Sequence, residues 1–168
     1  MNIKSNKGMF LEEIINRTIS YYSSKNIAYF EKRNIPFKIL KMINEKTFVG
    51  LLFSKSTVDY TGVYKQTHYE FEAKQTGKTT FDFKNLKNHQ YLFLKKMCDS
   101  FNACCFLIIY MAKFDKFYLI EFKKIVEYIQ LNKTHIIHFD QIQKYGHELE
   151  IYYPGILNLV EVLEKIKL

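Results

Sequence analysis

Between residues 67 and 74 apolar and polar side chains alternate strictly. This predicts a strand with Tyr69, Phe71 and Ala73 on one face and His68, Glu70, Glu72 and Lys74 on the other. Lys65-Gln66 separates it from the preceding run 57–64, the right length for a tight hairpin turn, and that pairing sets Asp59 opposite Glu72. Phe10, Leu11, Ile14, Ile15, Ile19 and Tyr22 recur at helical spacing, so 9–24 reads as an amphipathic helix. Strands are expected at 27–32 and 37–44 around the Asn34-Ile35-Pro36 turn, with 47–53 continuing the sheet toward the hairpin. Residues 85–97 form a second predicted helix, carrying Gln90 one turn past its start. The unbroken apolar run 103–110 suits a strand buried on both faces, with 117–120 as its neighbour. Helical periodicity returns at 122–131 and 157–166, while 132–153 shows no clear period. The sum is an α/β chain, a mixed central sheet flanked by helices, in a single domain over residues 1–168.

Directly opposed Cβ atoms on paired strands lie about 4.5–5.5 Å apart. Two carboxylates that close resist joint ionisation unless a cation sits between them, and oxygen ligands favour a hard divalent ion, Mg²⁺ or Mn²⁺. Such an ion binds a phosphate oxygen and acidifies water, while an adjacent ammonium stabilises charge building on phosphorus. The pattern therefore points to metal-dependent phosphodiester cleavage, with Asp59, Glu72 and Lys74 as the catalytic set. Glu121-Phe122-Lys123 repeats the Glu-x-Lys spacing. It lacks an upstream aspartate on a paired strand and opens a helical pattern, so it reads as accidental.

The segments Lys7-Gly8-Met9-Phe10-Leu11-Glu12-Glu13-Ile14-Ile15-Asn16, Ser56-Thr57-Val58-Asp59-Tyr60-Thr61-Gly62-Val63-Tyr64, Phe71-Glu72-Ala73-Lys74-Gln75-Thr76 and His89-Gln90 together resemble the RecU family of Holliday junction resolvases. That family has the restriction-endonuclease-like PD-(D/E)xK fold. The resemblance runs nearly the whole length and implies a magnesium site of Thr57, Asp59, Glu72 and Gln90, with Lys74 as transition-state stabiliser. It also implies a homodimer that makes paired symmetric nicks in four-way DNA junctions during recombination and repair, working alongside the RuvAB branch-migration machinery and RecA. A protruding stalk, expected here at about residues 40–54, is shortened relative to the family, and Lys7 stands where the family usually has arginine.

A net charge of +8 implies an anionic partner, even though an AT-rich genome accounts for part of the lysine content. All but Arg17 and Arg33 of the 25 basic residues are lysines. Lys7, Arg17, Arg33, Lys41 and Lys46 are candidate DNA contacts. Cys98, Cys104 and Cys105 have no C-x-x-C spacing, which argues against zinc and a disulfide framework and for a reduced cytoplasm. The start of the chain lacks an apolar signal core and the longest apolar run is too short to span a bilayer, so no membrane partner is expected.

His135 and His138 fit no metal-binding spacing, and His89 is read as a packing residue. Two rival functions remain open: another restriction-like DNA endonuclease, and a non-catalytic junction-binding protein. The intact Thr57, Asp59, Glu72, Lys74 and Gln90 set argues against the second.

Overall fold

The computed structural model describes residues 9–52 and 57–166. Its centre is a six-stranded sheet in the order β1-β4-β5-β7-β8-β10. These strands are β1 (Tyr29–Lys32), β4 (Tyr60–Tyr64), β5 (Thr67–Thr76), β7 (Cys104–Met111), β8 (Lys116–Glu121) and β10 (His147–Leu149). Only β5 and β7 run parallel; the other neighbours are antiparallel, so the sheet is mixed as expected.

Strand alternation divides the apolar residues into two layers. On one face Phe71, Phe106 and Ile108 meet Leu11, Ile15 and Ile19 of α1 (Met9–Ser24) and Leu163 of α5 (Leu159–Lys165). On the other, Cys105, Leu107 and Ile109 meet Leu94 of α2 (Asn88–Phe101), Ile125 of α3 (Phe122–Asn132) and Ile142 of α4 (Phe139–Tyr145). Cys104 and Cys105 thus fall on opposite faces, and all three cysteines are free.

The β4–β5 hairpin forms in the predicted register, with Tyr60 opposite Phe71 and Tyr64 opposite Thr67. Lys65 and Gln66 take φ of 44° and 65°, the left-handed conformation that a tight turn matching the strand twist requires. Gly62 is needed for a different reason: a Cβ there would collide with the Phe30 ring and the Tyr29 carbonyl of β1.

Three expectations change. The segment 47–53 does not continue the central sheet. Among the described residues β2 (Phe37–Asn44) and β3 (Thr47–Leu52) pair with each other alone, as a hairpin whose residues are exposed throughout. Its apolar residues, among them Phe37, Ile39, Met42, Phe48 and Leu51, find no core partner, so hydrophobicity alone gave the wrong neighbour. This hairpin occupies the place of the expected stalk, and residues 53–56 lie outside the described residues.

The second helix starts later than predicted. Asp82 accepts from the Lys84 amide at 2.9 Å and caps a separate 3-10 turn at Phe83–Asn85, so α2 begins at Asn88 and Gln90 lies in its first turn. The last helix also begins late, because Ile156 and Leu157 pair with Ile151 and Tyr152 as β12 and β11. The stretch without a clear period resolves into short pieces: β9 (Ile136–His138), paired with β6 (Thr80–Asp82), then α4 and the edge strand β10. No helix among the described residues is long and apolar enough to cross a membrane.

Candidate active site

Asp59, just before β4, and Glu72 in β5 come together as the register requires. The Asp59 amide donates to Glu72 Oε2 at 3.0 Å. Glu72 is 0 % exposed, and its Oε1 accepts from Lys74 Nζ and from Gln90 Nε2, the latter at 2.6 Å. Burial, and then repulsion from Asp59, push the Glu72 carboxyl up to about 7; Lys74 offsets only part of this. The carboxylate pair is therefore under-neutralised by the protein itself, the condition that oxygen-liganded divalent cations relieve.

Gln90 reaches the site from α2. Its Oε1 accepts from the Lys87 amide at 3.0 Å. A backbone N–H can only donate and a carboxylate only accept, so these partners fix the amide with its nitrogen toward Glu72. As found, Gln90 braces Glu72 and holds the helix start; its oxygen faces away from the pair.

Thr57 sits half-buried two residues before Asp59, and its Oγ1 accepts from Arg33 Nη1 at 3.1 Å. Arg33 is no free surface cation. Its amide donates to the Asp59 carbonyl at 2.8 Å, its Nη2 donates to Glu70 Oε1, and its guanidinium lies 5.2 Å from the Phe93 ring centroid. Arg33 and Glu70 are the residues whose place the sequence reading missed. Alternation put Glu70 on the same face as Glu72, but nothing in the pattern tied it to an arginine 37 positions away.

The other candidate contacts do not converge here. Arg17 lies on α1, across the sheet, ion-paired with Glu13 at 3.0 Å and donating to the Pro154 carbonyl at 3.3 Å. Lys41 and Lys46 are exposed on the β2–β3 hairpin, and Lys7 lies outside the described residues. His135 and His138 are exposed, and no group of three or more metal-binding His, Cys, Asp or Glu side chains forms among the described residues. Glu121, of the accidental Glu-x-Lys copy, pairs with Lys124 at 2.5 Å rather than facing an aspartate.

The family model described as Recombination protein U matches residues 6–165. The chain belongs to the RecU family. Among RecU proteins, it is 36% identical to the Holliday junction resolvase RecU of Ureaplasma parvum serovar 3 over 100% of this chain and 97% of that one. It is 35% identical to the Holliday junction resolvase RecU of Mycoplasmopsis pulmonis over 94% of each chain. Against the RecU of Bacillus cereus it is 34% identical, covering 96% of this chain and 85% of that one. A solved structure of Archaeoglobus fulgidus Hjc, a Holliday junction resolvase, superposes with a TM-score of 0.53 over 85% of this chain and 92% of that one, at 11% identity. At that identity the likeness supports the restriction-endonuclease-like architecture alone.

Proposed function

We propose that this chain is a Holliday junction resolvase, a divalent-metal-dependent endodeoxyribonuclease that nicks four-way DNA junctions symmetrically. One observation supports it above the rest: within a RecU chain, buried Glu72 is set against Asp59 with Lys74 on the same carboxylate.

The donor set fits Mg²⁺ or Mn²⁺, being hard oxygens around a carboxylate pair whose joint charge the protein leaves only partly compensated. Asp59 and Glu72 would hold the ion with the Thr57 hydroxyl, and Gln90 would join them only by turning its amide over. Such an ion supplies a Lewis acid for a phosphate oxygen and a more acidic water. Lys74, freed from neutralising Glu72, would donate to the oxygen on which charge develops at phosphorus. Gln90 keeps Glu72 in place by its Nε2 donation.

A four-way junction has approximate two-fold symmetry, so an isologous homodimer with one site per subunit would deliver the paired nicks. Lysine-rich contacts to phosphate would supply most of the affinity. The β2–β3 hairpin, exposed throughout and bearing Lys38, Lys41 and Lys46, would read the branch point. The family resemblance extends this role to recombination beside RuvAB and RecA, and the DNA substrate and free cysteines fit a cytoplasmic setting.

The test is incubation with a synthetic four-way junction and Mg²⁺ or Mn²⁺. Paired symmetric nicks are expected. Equal cleavage of linear duplex would favour a general endonuclease, and binding without cleavage would favour a junction-binding protein.

A further inference from the structure

A second carboxylate on the catalytic face of β5 has no part in the chemistry above. Glu70 is 0 % exposed; its Oε1 accepts from Arg33 Nη2 and from Thr61 Oγ1 at 3.1 Å, and lies 2.8 Å from His68 Nε2. Leaving a buried carboxylate without a cation beside it is strongly unfavourable. Arg33 supplies that cation. Its backbone pairs with Asp59, beyond the last residue of β1, which places its side chain in the same row as Asp59 and Glu72 across three strands. The guanidinium is then held twice, by Glu70 and by the face of Phe93, and its remaining Nη1 reaches Thr57 Oγ1.

We propose that Arg33 and Glu70 are positioning residues for Thr57. Resting on the metal-dependent reading of the site, the role is to fix which way the Thr57 hydroxyl presents its free lone pair to the ion. A threonine side chain has three staggered wells, and a donor in a fixed place favours one of them. Guanidinium suits this because its planar fork holds Nη2 on Glu70 and Nη1 on Thr57 in fixed relative directions, whereas the donors of an ammonium rotate about its stem. Glu70 has no ligand role in this reading; it aims Arg33.

Charge alone makes the opposite forecast. A cation this near a dication site repels the metal, so removing Arg33 would tighten metal binding if it did nothing else. Arg33→Met, which keeps the apolar stem and drops the donors, separates the two. Mn²⁺ titration calorimetry on the full-length protein without DNA is the readout, with circular dichroism confirming the fold. Mn²⁺ affinity should fall about 10- to 100-fold, as for other groups that orient metal ligands. Thr57→Val should weaken Mn²⁺ to a similar degree, the double variant should be no weaker than Thr57→Val, and Arg33→Lys should recover part of the loss. Unchanged or tighter Mn²⁺ binding by Arg33→Met, or additive losses in the double variant, would overturn the proposal.

Should Arg33→Met not fold, Glu70→Gln is compared with Thr57→Val and with their combination: non-additive weakening supports the proposal and additive weakening overturns it. Cleavage is read separately. A wild type that binds Mn²⁺ yet leaves four-way junctions intact sinks the resolvase reading and spares this one, whereas a wild type that binds no Mn²⁺ sinks this one.

Discussion

Glu72→Gln should make the metal-free protein more stable at alkaline pH and leave it little changed in acid. In the folded protein the Glu72 carboxyl stands at about 7 against an ordinary 4.5, chiefly because it is buried and then because Asp59 repels it. A raised carboxyl means that the folded state holds its proton more tightly than the unfolded state. The penalty is thus small below the ordinary value and is fully developed once pH has risen through the folded one. At pH 8 it amounts to about 3 kcal/mol, and at pH 5 to about 1 kcal/mol.

Glutamine removes that titration while leaving one of the three donors (Lys74, Gln90 and the Asp59 amide) poorly served. The resulting loss of about 1 kcal/mol does not vary with pH. Stability of the variant relative to wild type should therefore rise by about 2 kcal/mol from pH 5 to pH 8, or about 4–8 °C in Tm for a chain of this size. Thermal melts in chelator at several pH values give the difference, and groups common to both proteins cancel from it. Adding Mg²⁺ at pH 8 should restore wild type and not the variant, since a ligand stabilises only the fold that binds it. Parallel pH curves for the two proteins would refute the reasoning, because the Glu72 charge would then cost the fold nothing.

Asp59→Asn should abolish junction cleavage while leaving junction binding by gel shift nearly intact; lost binding in a folded protein would contradict the metal-holding role. Lys74→Ala should lower the single-turnover rate about 10²–10³-fold, as for a deleted transition-state donor, with Mn²⁺ affinity roughly retained. Lys123→Ala, in the second Glu-x-Lys copy, should leave the rate unchanged. Deleting residues 42–48, the tip of the β2–β3 hairpin, should narrow the ratio of junction to duplex affinity without altering the salt slope for duplex, and an untouched ratio would remove the hairpin as the selector.

The legible parts of the fold are those where one short-range rule decides the outcome. The alternation in β5 and the two-residue turn at Lys65-Gln66 fix the register of the β4–β5 hairpin without help from the rest of the chain. The β2–β3 hairpin was legible as two strands but not as a separate sheet. Its apolar residues suggested a buried partner, and nothing local says that Phe37 and Phe48 would stack on each other at 4.7 Å in the open instead. The start of α2 turned on Asp82 capping an extra turn, a competition settled by a few hydrogen bonds. Arg33 was visible as a cation near a turn. Its true place depends on β1 running past its last paired residue to lie beside Asp59, a tertiary fact with no local signature.

The site borrows its precision from the core on the opposite face. Each carboxylate of the candidate site has an aromatic neighbour in sequence, Tyr60 after Asp59 and Phe71 before Glu72, and strand alternation points the two members of each pair to opposite sides. Tyr60, Phe71 and Phe106 stack across three strands with centroids 4.8 Å apart at each step. A slip of one residue in β5 would carry Phe71 to the face that holds Asp59 and drive Glu72 into the aromatic layer, losing the stack and burying a charge among apolar rings. The apolar layer therefore enforces the register that sets Asp59 against Glu72. Burial, and then the nearness of Asp59, leave the Glu72 carboxyl raised, a cost that a divalent cation would relieve.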